Sequence, residues 1–176
     1  AVFNEFVWGN YDITNSAYSL SNTGAYNENI SNNYSTTVGN AVYINTFGSE
    51  NGPFRVGIFA GNILNTGRVS AGATYYGIME MTGNLWERPV TAGNPTGRAF
   101  TGKNGNGLLD ADGNADVLSW PPNASAVGVG FRGGNFALTP PWGLQVSDRH
   151  HAARVIASNT RGVQYGGRGV RSVPLQ

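Results

Sequence analysis

A loop-rich α+β fold, with short strands and few short helices, is predicted by three observations. Apolar residues come in short patches bounded by Asn, Ser, Thr or Gly, the turn formers that end strands. No apolar stripe at helical spacing runs beyond about two turns, and no repeat recurs at a fixed period. Twenty-six glycines favour irregular backbone, while four Trp, eight Tyr and eight Phe supply enough apolar area for a core.

The 176 residues suit one domain around one core. Along the chain, 6–8 and 41–44 read as short strands separated by a polar loop over 22–38. Residues 54–59 alternate as a strand does, and 67–74 form a small-residue loop. A second polar stretch covers 93–126. Residues 127–136 read as a strand kinked by glycines, 145–156 as a strand or short helix, and 162–173 as a closing hairpin strand.

Composition excludes several classes. Charged residues make up 12% of the chain against a usual share of about 25%. The net charge of +1 offers no electrostatic case for nucleic acid or an anionic membrane. No apolar run approaches the roughly 20 residues that span a bilayer. Cysteine is absent, so there is no disulfide, zinc-thiolate site or thiol nucleophile. The low-charge, Asn/Thr/Ser/Gly-rich character suits a secreted protein or a bacterial cell surface. The start, Ala1-Val-Phe-Asn-Glu-Phe, reads as a processed piece of something longer.

The most informative segment is Tyr76-Gly-Ile-Met-Glu-Met-Thr-Gly-Asn-Leu-Trp-Glu87. It joins an apolar stretch to a tight Gly-Asn turn and sets Trp86, a candidate core plug, beside a carboxylate. This block resembles the "YDMxGNVWEW" signature of the formylglycine-generating-enzyme and sulfatase-modifying-factor family. Three more blocks follow that family's order. Phe6-Val-Trp-Gly-Asn10 resembles "YPWGN", and Phe131-Arg-Gly-Gly-Asn-Phe136 resembles "LRGGSW/F". Arg149-His-His-Ala-Ala-Arg154 with Gly166-Gly-Arg-Gly-Val-Arg171 resembles "RxAxR…GFRCVR", with Gly167 in place of the family's Phe.

The resemblance implies a C-type-lectin-like fold with a small twisted antiparallel sheet. It makes residues 1–176 the C-terminal part of a longer domain. The family's front portion has no counterpart, so a protein partner or the missing N-terminal segment is expected to cover an open apolar face.

The resemblance also implies a calcium site: the side chains of Glu80 and Glu87 and the carbonyls of Gly83 and Leu85. Calcium takes six to eight oxygen ligands of this type. The alternative is that both glutamates cap turns or pair with arginines. A weaker cation candidate is Asp110, Asp112, Asn114 and Asp116, whose alternation resembles half of an EF-hand loop. Asx turns in a surface loop explain the same residues.

The family's copper-binding cysteines are replaced near Leu138 and Gly143, so no copper is expected. No iron is expected either, because the helical domain supplying its histidines in related sulfoxide synthases is absent. His150 and His151, read as neighbours on a strand, point to opposite sides. They line the expected ligand groove with Phe136, Trp142 and Tyr165, where aromatic rings offer apolar area with polar edges. Arg132, Arg154 and Arg168 are expected to brace the fold, with Glu80, Glu87 and Asp148 as partners; a cluster on one face binding an acidic ligand is the alternative.

Three functions follow: a calcium-stabilised, non-catalytic binding or structural module, a metal-dependent oxidoreductase using His150 or His151, or an architectural subunit of a larger surface assembly.

Overall fold

The computed structural model describes residues 2–15, 18–32, 34–44, 52–103, 105–112, 116–117, 120–121, 125, 127–138, 141–154 and 162–167. Regular structure within them is sparse. Strands β1 (Ser19–Ser21) and β2 (Asn29–Ser31) pair antiparallel. Helix α1 covers Ile58–Gly61, strand β3 Trp86–Glu87 and helix α2 Pro95–Arg98. A 3-10 turn at Pro141–Leu144 precedes strand β4 (Tyr165–Gly166), which pairs parallel with β3. The chain is thus loop-rich, with one-turn helices and two-stranded sheets, as composition predicts.

Several expected elements differ. The stretch 22–38 holds β2, because Ile30 packs into the core against polar neighbours that face solvent. Residues 6–8 form turns around the buried Phe6 and Trp8. Residues 41–44 contribute one isolated bridge, Val42 with Gly83, and 54–59 lead into α1. Helix α2 lies in the second polar stretch, started by the Asn94 side chain accepting from Thr96 N, with Pro at the first helical position. Residues 127–136 make isolated bridges at Val129 and Arg132, since successive glycines prevent a regular ladder. Turns cover 145–147 and 150–153, and β4 enters a parallel pair where a hairpin strand was expected.

Among the described residues, two apolar clusters form the core. One gathers Tyr18, Ile30, Val42, Phe54, Ile58, Phe59 and Phe136. The other gathers Phe6, Trp8, Ala41, Tyr43 and Leu144. Trp8 is 1% exposed and lies flat on Gly39, where an added Cβ would sit 2.0 Å from the indole. Its Nε1 donates to Asn10 Oδ1 (2.8 Å) and to the Asp12 carbonyl (3.2 Å).

The Gly83–Asn84 turn joins these parts. Both residues have positive φ, 78° and 64°. Gly83 N donates to the Gly133 carbonyl, Asn84 N to that of Val42, and Phe136 N to that of Asn84. The Asn84 amide both accepts from Phe54 N (2.9 Å) and donates to the Phe54 carbonyl (3.0 Å). A Cβ on Gly83 would stand 2.3 Å from the Val42 carbonyl, so that approach requires glycine.

Candidate functional site

The turn sets Trp86 beneath a continuous run of rings. Trp142 meets His150 edge-on at 5.4 Å, and His150 lies 4.6 Å from His151. His151 packs on Trp86 at 5.1 Å, Trp86 on Phe131 at 6.1 Å, and Phe131 on Tyr165 at 5.2 Å. Five separate stretches of the chain bring these six rings together, with β3–β4 pairing placing Trp86 opposite Tyr165. Trp86 is 5% exposed, so the inner part of the run is core and the outer part faces solvent.

An open groove of about 250 Å³ runs along the inner rings. Its apolar wall is Trp86, Phe131 and Tyr165, and Asn135, Gln164 and Arg154 give it hydrogen-bonding groups. Asn135 Oδ1 accepts from Ala137 N (2.7 Å), and Arg154 Nη1 stands 3.2 Å from His151 Nε2. Burial pushes the His151 pKa down, with Arg154 and His150 acting the same way; its hydrogen bond to the His150 backbone and Asp148 act against the shift. The neutral ring therefore dominates near neutral pH.

The expected groove residues separate. His151 and Tyr165 line the groove, while His150 and Trp142 continue the ring run beyond it. Phe136 is buried in the first core cluster and does not line the groove. His150 and His151 correct the strand-based expectation: they lie in a turn, where successive side chains need not oppose, and their rings come together. Residues 131, 135 and 164 were not singled out as groove-lining; Phe131 and Asn135 stood in the Arg-Gly-Gly block, but Gln164 carried no signal.

For the cation candidates, Glu80 is 6% exposed and holds φ 58°, with its carboxylate's field reaching Tyr18. Glu87 is half-buried on β3, where its backbone exchanges hydrogen bonds with Arg132. Thr82, between Glu80 and the turn, is buried, and its Oγ1 has no hydrogen-bond partner among the described residues. Asp110 Oδ1 accepts from Asp112 N (3.0 Å), an Asx turn, and Asp116 Oδ1 accepts from Asn106 N (3.3 Å). Asn114 lies outside the described residues, as does Arg168. Among the described residues no three His, Asp or Glu side chains gather around one point.

The Arg132 guanidinium meets a carbonyl: its Nη2 donates to Val146 O at 2.6 Å. The one ion pair between described residues is Arg55–Glu28 at 3.9 Å, so the expected Arg132 and Arg154 pairing with Glu80, Glu87 or Asp148 is not formed there. Asp148 instead accepts from His150 N. Among the described residues no helix is long and apolar enough to cross a membrane.

No protein-family model matches the chain, and comparison with curated proteins and with solved structures finds no match.

Proposed function

We propose that this chain is a non-catalytic binding module of the sulfatase-modifying-factor type, C-type-lectin-like in fold and displayed at a bacterial cell surface. The observation that carries this reading is the six-ring run beside an open groove edged by Asn135, Gln164 and Arg154. Rings with polar edges supply large contact area at low side-chain entropy. A groove of about 250 Å³ is below the usual range for a whole small-molecule ligand, so it suits one sugar ring or one side chain of a larger partner.

Two further points support binding over turnover. The cysteine-free sequence removes the thiolate pair of copper-dependent relatives. The His151 Nε2 neighbour is a guanidinium, which neither activates as a base nor attacks.

Calcium belongs to this reading as a brace. Glu80, Glu87 and the Gly83 and Leu85 carbonyls would offer a hard cation an all-oxygen donor set. The buried Thr82 hydroxyl in the same segment supports the fit. The expected open face finds support in the exposed Val56, Ile63, Leu64, Tyr75 and Tyr76 on the loops around α1 and before the turn. A protein partner or a preceding segment would cover them.

The deciding experiment combines glycan and peptide array binding with metal analysis of the purified protein. Binding that disappears in Tyr165→Ala and Trp142→Ala, with calcium as the metal, is the expected result. Iron or copper at one per chain, with oxidation of a thiol substrate, would replace this reading with an oxidoreductase.

A further inference from the structure

A second cleft, of about 330 Å³, shares only Phe131 with that groove. Pro89, Val90, Ala92 and Ala152 supply apolar walls, and Arg132 and Arg149 supply charge. The two guanidiniums converge on one acceptor: Arg132 Nη2 and Arg149 Nη1 donate to the Val146 carbonyl at 2.6 and 2.9 Å. Arg149 Nη1 also donates to the Asp148 carbonyl at 2.8 Å, so both guanidiniums rest on neutral carbonyls and neither forms an ion pair among the described residues.

The nearby carboxylate relieves their mutual repulsion only in part. Asp148 Oδ1 caps His150 N, and no ion pair joins Asp148 to either arginine. Burial and the neighbouring Arg149 lower the Arg132 pKa, and Asp148 offsets this only in part. A third guanidinium lies behind the shared ring: Arg88 stacks on Phe131 at 5.3 Å, and its Nε and Nη2 are buried without a hydrogen-bond partner among the described residues.

We infer that this cleft binds a carboxylate carried on an apolar body, with Arg149 and Arg132 on the carboxylate and Val90, Ala92 and Phe131 on the body. A guanidinium fork matches a carboxylate's two oxygens. The apolar walls disfavour a strongly hydrated inorganic dianion, which would lose its water there. This site is distinct from the proposed ring-lined groove, and the inference stands whether or not the chain is a surface module.

The test is an amide-resolved NMR titration of the whole chain with 3-phenylpropionate, 3-phenylpropanol and sulfate at low salt. The expected result is saturable shifts at Ala92, Gly93, Gly130 and Arg149 with the carboxylate. The alcohol and sulfate bind at least tenfold more weakly. Arg149→Gln, an exposed position whose spectrum reports folding directly, weakens the carboxylate at least tenfold. No saturable shift overturns the inference. So does equal binding of the alcohol, which marks an apolar site alone, or equal binding of sulfate, which marks a general anion site. Shifts confined to Gln164 and Tyr165 would assign the ligand to the other groove and also overturn it.

Discussion

Asn84 treats Phe54 as a strand would treat its neighbour: its side-chain amide accepts from Phe54 N at 2.9 Å and donates to Phe54 O at 3.0 Å. Thirty residues apart in sequence, the two close a ring of hydrogen bonds in the buried interior. The same residue's φ of 64° turns the chain so that Trp86 enters the ring run.

Replacing Asn84 separates these roles. Asn84→Gly keeps the positive φ but removes both bonds to the buried Phe54 backbone, at about 1–3 kcal/mol each. Asn84→Ala adds left-handed strain of about 1 kcal/mol or more. Urea denaturation should therefore rank wild type, then Gly, then Ala. Equal stability of the Gly variant and wild type would show that the amide bonds contribute nothing.

Gly39→Ala tests the seat of Trp8. The new methyl would lie 2.0–2.5 Å from three indole atoms, so the ring must move. Overpacking of this kind costs about 1–3 kcal/mol. The denaturation midpoint should fall and the Trp8 emission should shift, since its Nε1 bonds to Asn10 and Asp12 depend on the ring's position.

Tyr18 should set an alkaline limit. Burial, the largest influence, holds its hydroxyl well above the usual pKa, with the bond to Ala41 O opposing and Tyr43 and Glu80 adding to the rise. A raised acid pKa means that the unfolded state loses its proton first. The contribution is whole below about pH 10 and is lost as pH rises from there toward the folded-state value. Stability measured from pH 8 to 11 should fall in wild type and stay flatter in Tyr18→Phe. That variant should also lose about 1–3 kcal/mol at pH 7, because Ala41 N donates to the Tyr18 hydroxyl at 3.2 Å.

His151 should act at the acid end. Its folded-state pKa lies below the ordinary value, chiefly through burial. Between the two values the unfolded state binds more protons. The stabilisation is thus complete above about pH 6.5 and is lost as pH falls through the folded pKa. Proton NMR titration should give His151 a lower midpoint than a free histidine side chain. A midpoint at or above the ordinary value would contradict the packing of His151 between Trp86 and Arg154.

Calcium binding, part of the proposed function, has a thermodynamic readout. At a free concentration one hundred times Kd, one site stabilises by about 2.7 kcal/mol. For a chain of this size that raises Tm by about 5–10 °C. Glu87→Gln should abolish the increment while folding normally without calcium. A Tm indifferent to calcium and to chelator would remove the ion from the proposal.

What the sequence determined about this protein is local. A Gly-Asn pair fixes left-handed backbone, because only small or amide side chains tolerate positive φ cheaply, and Gly83 and Asn84 adopt it. Trp86 beside it is buried, and among the described residues turn formers keep helices to a single turn. What only the tertiary structure decided depends on packing between distant segments. Ile30 turned a polar stretch into a hairpin strand by finding the core. Phe136 left the groove for that core through its backbone bond to Asn84. His150 and His151 met because their turn relaxes the alternation of a strand and Trp142 and Trp86 flank them. A ring's neighbours are set by the whole chain's closure, and spacing along the sequence carries no record of it.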